Sequence, residues 1–112
     1  MALLGGGTKV DGIIAGNDVL ARGVLDVARS KGLKVPSDVA VIGFDNWDIL
    51  CEDSWPPLSS VDMNLQYLGR KAARALVDAI EGRPSSGIHL GDVRIAARES
   101  TAIVELPESS AG

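Results

Sequence analysis

Gly12-Ile13-Ile14-Ala15-Gly16 runs into Asn17-Asp18, and Val39-Ala40-Val41-Ile42-Gly43-Phe44 runs into Asp45-Asn46-Trp47. Each stretch is a short apolar run of strand type that stops at polar side chains. One helix-length segment separates them. That is the sequence form of a β-α-β unit, which joins parallel neighbouring strands by a right-handed crossover. Both polar clusters then sit at the carboxyl edge of one sheet, about 5 Å apart at the strand spacing. Open α/β sheets place ligands at that edge.

Working outward, the intervening helix is expected over about Val19–Lys31. Asp18 is placed to cap it, and Leu20, Val24, Val27 and Ala28 form its apolar face. Gly32 stops it. The second strand is apolar throughout, as for a strand covered on both faces. Asp48 to Ser54 is read as a short helix and Leu58 to Val61 as a brief strand. A second long helix spans about Leu65 to Glu81, with Asn64 or Asp62 near its cap. Its stripe is Leu65, Leu68, Ala72, Leu76 and Ala79. Ile88-His89-Leu90 and Val93 to Ala97 are read as late strands split at Gly91-Asp92. Residues 1–10 form a flexible lead-in, and 105–112 a disordered tail.

Composition narrows the function. The 112 residues suffice for one small domain. Aromatic residues are only 4%, so the core is aliphatic. A net charge of -4 argues against direct binding to DNA or an acidic membrane surface. The one cysteine, Cys51, permits no internal disulfide and is read as a packing thiol, which fits a reducing compartment. No apolar stretch reaches the roughly 18 residues of a membrane span.

The strand ends carry the candidate chemistry. Asp45 is suited to accept hydrogen bonds from sugar hydroxyls or an amine. Asn17 offers a donor and an acceptor, for a ligand or for a local turn. Trp47 either presents a ring face to a sugar or fills space. Trp55 beside two prolines is read as packing, and Arg98 with Glu99 as a surface pair. A catalytic reading, such as a small hydrolase using Asp45, is weaker. There is one histidine, His89, and no Gly-x-Ser-x-Gly or His-Glu-x-x-His. No cofactor or metal site is expected.

Five motifs in register resemble the C-terminal third of LacI-type transcriptional regulators, over about residues 11 to 103. They are Asp11-Gly12-Ile13-Ile14-Ala15-Gly16-Asn17-Asp18, Val35-Pro36-Ser37-Asp38-Val39-Ala40-Val41-Ile42-Gly43-Phe44-Asp45-Asn46, Pro56-Pro57-Leu58-Ser59-Ser60-Val61, Leu68-Gly69, and Arg98-Glu99-Ser100-Thr101. The resemblance implies an incomplete fragment of a three-layer, parallel-sheet α/β fold of the periplasmic-binding-protein-like type I class. It implies an effector-binding domain in which Asn17 and Asp45 match the polar contacts to a sugar-like small molecule. Trp47, beside them at the end of the second strand, is counted with the ligand-binding residues on its own chemistry. Operator DNA would be bound only through an N-terminal helix-turn-helix that this chain lacks, in a cytoplasmic homodimer. The segment 11–104 would then divide into 11–61 in the C-terminal lobe, a helix at 62–85 returning to the N-terminal lobe, and final strands at 88–104. Met63 stands where sugar-binding members often carry Gln, so a less polar part of the ligand would lie there. The helix from Val19 resembles one at the family's dimer interface, although Arg22 is less apolar than expected. A helix made for another lobe implies an oligomer, a swapped assembly, or a helix folded onto its own sheet. The alternative is a fragment of a periplasmic sugar-binding protein for transport.

Overall fold

A computed structural model of the chain describes residue 7 and residues 9–101. The elements run β1 (Gly12–Ile14), α1 (Asp18–Ser30), β2 (Ala40–Phe44), α2 (Asp48–Glu52), β3 (Ser59–Asp62), α3 (Leu65–Ile80) and β4 (Arg94–Ala96). The expected tail at 105–112 and most of the lead-in at 1–10 lie outside the described residues.

The four strands form one sheet in the order β1-β2-β3-β4. β1, β2 and β3 run parallel, with Ile13 opposite Val41 and Gly43 opposite Ser60. β4 joins antiparallel, with Ile95 opposite Val61, so the expected parallel sheet is mixed at its last strand. The long excursion through α3 brings the chain back along the opposite direction. Ile88-His89-Leu90 forms no strand, which corrects the expectation of two late strands. All three residues are exposed, so nothing rewards extending the ladder there.

α1 starts one residue earlier than expected because Asn17, not Asp18, is its cap. The Asn17 Oδ1 accepts the Leu20 N–H at 2.8 Å. The helix ends in a Schellman motif: Leu33 N–H donates to Ala28 O at 2.9 Å and Gly32 N–H to Arg29 O at 3.1 Å. Gly32 takes φ +70°, a left-handed conformation that only glycine adopts without strain.

The core lies between α1, α2 and one face of the sheet. Ala15, Ala21, Val24, Leu25, Val41, Cys51 and Leu58 are its buried members. Val24 and Ala28 belong to the expected face, but Leu20 is exposed. The cause is rotational. Asp18 is buried at the sheet edge, and Leu20 lies two residues on, about 200° round the helix.

The other sheet face carries Ile14, Ala40, Ile42, Phe44, Val61 and Ile95, which neighbour one another through the strand register. None of them is buried among the described residues, and Ile14 is 78% exposed. The uniform apolarity of β2 therefore reflects a face that the described residues leave uncovered, not two covered faces. Neither Leu65, Leu68, Leu76 nor any other residue of α3 is buried.

Ser100 ties the last described segment into the sheet. Its backbone oxygen accepts from Val41 N–H at 2.9 Å, and its N–H donates to Pro57 O at 2.9 Å. Its hydroxyl donates to Val41 O at 2.6 Å and accepts Ser59 N–H at 2.7 Å. One residue thus satisfies backbone groups on both β2 and β3 where their direct pairing has not yet begun.

Candidate functional site

Three parallel strands end on one edge, and each ends in polar residues. β1 delivers Asn17 and Asp18, β2 delivers Asp45-Asn46-Trp47, and β3 delivers Asp62. The expected edge had two members; Asp62 is the third. Its signal was present, since Ser59-Ser60-Val61 runs into Asp62 much as the β2 run stops at Asp45.

Asp18 organises this edge from beneath. It is 1% exposed. Its Oδ2 accepts Trp47 N–H at 2.8 Å, and its Oδ1 accepts the Ser60 hydroxyl at 2.6 Å. Ser60 Oγ in turn accepts Asn46 N–H at 3.0 Å. Asp18 therefore serves not as the helix cap but as a buried clamp on the 45–47 lip. Gly43 makes this approach possible: a Cβ there would collide with Asp18 Oδ1 and lie 3.2 Å from both Asp18 Cα and Leu58 Cδ2.

The lip has an unusual backbone. Asp45 has φ 104° and Asn46 φ 56°, both in the left-handed region. Such positions cost about 1–3 kcal/mol each and persist where the surroundings fix them. Here the Asp45 N–H is tied to Val61 O at 3.0 Å, and the next two amides to Ser60 and Asp18. No hydrogen bond among the described residues uses the Asp45 carboxylate. Trp47 caps α2 by position only, and its ring is left 60% exposed.

A recess of about 160 Å³ lies at this edge, lined by Asn17, Asp18, Val19, Asp45, Trp47 and Leu50. The three residues singled out from the sequence, Asn17, Asp45 and Trp47, thus come together. A larger groove of about 430 Å³ is lined by Leu25, Arg29, Leu33, Val35 and Trp55 among others. It lies at the far end of α1, and its Arg29 guanidinium already donates to Trp55 O at 3.2 Å.

Two other expectations are corrected. Trp55 does not pack in the core; it is 74% exposed beside that groove. Arg98 does not form a surface pair with Glu99. Its Nη1 donates to Leu58 O at 2.8 Å, and its Nη2 lies 3.7 Å from Asp48 Oδ1. The guanidinium braces α2, the helix that Trp47 begins. These partners stand far off in sequence, so no local pattern announces them.

Cys51 is the expected packing thiol: it is fully buried. Burial, reinforced by the nearby Asp18 carboxylate, pushes its pKa up to about 11, so it stays a neutral thiol. Among the described residues no group of three or more His, Cys, Asp or Glu side chains is placed to hold a metal ion. No described helix is long and apolar enough to cross a membrane. The edge can donate and accept hydrogen bonds and offer a ring face.

The family model for the periplasmic binding protein-like domain matches residues 5–101. The transcriptional regulator CelR of Thermobifida fusca is 36% identical over 99 residues, covering 88% of this chain and 29% of that protein. The transcriptional repressor CytR of Escherichia coli (strain K12) is 40% identical over 88 residues, covering 76% and 25%. The chain thus spans less than a third of these relatives' length. Among solved structures, a CelR–cellobiose complex superposes with a TM-score of 0.72 at 36% identity, over 82% of this chain and 28% of that one. A dimeric Lac repressor with an 11-residue C-terminal deletion gives 0.81 at 26% identity, over 90% and 37%. These relatives are regulators rather than enzymes. The five motifs, the strand-end architecture and these matches agree: the chain belongs to the periplasmic-binding-protein-like domain family, in the form found in LacI-type transcription regulators.

Proposed function

We propose that this chain is the ligand-sensing, C-terminal part of a LacI-type regulator's effector-binding domain. Asn17, Asp45 and Trp47 contact a sugar-like small effector, and the chain performs no catalysis. Residues 11–61 belong to the C-terminal lobe, and the helix within 62–85 returns to the N-terminal lobe. Effector occupancy alters operator binding through a helix-turn-helix elsewhere in the protein, which acts in the cytoplasm as a homodimer. The bare faces of α3 and of the sheet favour partners of this kind, either the other lobe or a swapped second copy.

One observation carries the reading. The Asp45 carboxylate stands in a recess beside an exposed indole, on a backbone held at φ 104°, with no protein donor among the described residues. A carboxylate accepts sugar hydroxyls strongly, and an indole face covers the apolar side of a sugar ring. The CelR relative is solved with cellobiose, which makes that sugar the first probe.

Calorimetry on the gene-length protein tests it. Asp45→Ala avoids Asn17, which also caps α1, and is paired with Asp45→Gly, which removes the carboxylate without placing an alanine Cβ on the φ 104° backbone. Each should lose about 1–3 kcal/mol of affinity for a bound sugar by leaving a ligand hydroxyl unpaired. Unchanged affinity removes Asp45 from the contact set.

A further inference from the structure

The Asp62 carboxylate joins three parts of the chain. Its Oδ1 accepts Asn64 N–H at 2.8 Å, at the entry to α3. Its Oδ2 accepts Asn46 Nδ2 from the lip at 3.3 Å and Arg94 Nη2 from β4 at 3.1 Å. The Asn64 N–H above all, helped by Arg94 and Asn46, holds this carboxyl below its ordinary pKa. It is therefore a charged acceptor at neutral pH.

The geometry around it is costly. Asn46 and Asn64 both hold left-handed backbones, at φ 56° and 51°. Turning Nδ2 toward Asp62 leaves Asn46 Oδ1 buried with no partner among the described residues. A buried acceptor without a partner is unfavourable. The Asn46 orientation is thus set by what Nδ2 reaches.

We propose that Asp62 is a positioning residue for the ligand lip, holding Asn46, and with it Asp45 and Trp47, in register with Arg94 and with the strand-to-helix junction at Asn64. This rests on the reading that the lip contacts ligand. It makes the junction where the chain leaves the sheet for α3 sensitive to any shift of the lip.

Amide hydrogen exchange by NMR on the ligand-free chain tests the relay. The variants are Arg94→Ala, Asn46→Ala and the double variant, with Arg94→Gln standing in if Arg94→Ala does not fold. Arg94 is an exposed side chain on β4, with no hydrogen bond to the lip among the described residues. Its removal should nevertheless speed exchange of the Asn46 and Trp47 amides about two- to five-fold, the scale of an exposed ion pair. The Leu25 amide, in the core, should keep its rate. In the Asn46→Ala background the Arg94 substitution should no longer change Trp47 exchange. Wild-type lip rates in Arg94→Ala overturn the proposal. So does an equal rise at Leu25, or an undiminished Arg94 effect without Asn46. Sugar binding plays no part in this measurement, so a failure of cellobiose calorimetry refutes the ligand reading separately.

Discussion

Helix α1 buries Asp18, Ala21, Val24, Leu25 and Ala28, whereas α3, the longer helix at 16 residues and comparably amphipathic, buries none. Both sequences carry an apolar stripe at helical spacing. The difference lies in the neighbours that the chain supplies to each helix. The strand that covers α1 is the next element in the chain, and α2 closes the remaining side. α3 leads only into the exposed segment 81–91 and then a three-residue strand. An amphipathic pattern states that a face gains by being covered. It does not state which part of which molecule covers it. The open sheet face, with Ile14 and Ile95 uncovered, repeats the lesson on a strand scale.

The contrast between the two helices can be broken by measurement. Leu58→Ala, at a fully buried side chain under α1 and α2, should cost about 2–5 kcal/mol in urea unfolding. Gly43→Ala should cost about 1–3 kcal/mol, because the added methyl pushes Asp18 and Leu58 off β2. Leu76→Ala on α3, 63% exposed, should change stability by less than about 0.5 kcal/mol. A Leu76→Ala loss as large as that of Leu58→Ala would mean that α3 is covered in solution. Light scattering on the same sample would then tell a second copy, with a mass above the monomer, from α3 folded onto its own sheet, with the monomer mass.

The sequence is legible where structure is local. The β-α-β unit, the Gly32 stop and the convergence of Asn17, Asp45 and Trp47 all come from runs and spacings within one unit. Asn17-Asp18 shows the limit. Both residue types cap helices, and the choice between them depends on partners 29 and 42 residues away, Trp47 N–H and Ser60 Oγ. Arg98 escapes a local reading for the same reason, since its acceptor Leu58 O lies 40 residues back. Trp55 departs from expectation because apolar size alone does not imply burial. Its place at the rim of a groove depends on how the Pro56-Pro57 turn leaves α2, which no periodicity encodes. Asp62 is legible in kind, as another strand-terminal aspartate, but its three partners are not.

Ser100 sets an order of events. Its bonds to Val41 and Ser59 span 59 and 41 residues. Closing loops of that length is entropically slow compared with forming α1 against β2. During synthesis, β1, α1 and β2 can dock once they emerge, yet the seam between β2 and β3 stays unfinished until the chain has been made past residue 100. A ribosome paused before that point would hold a nascent chain with an unsealed sheet, open to pairing with another strand.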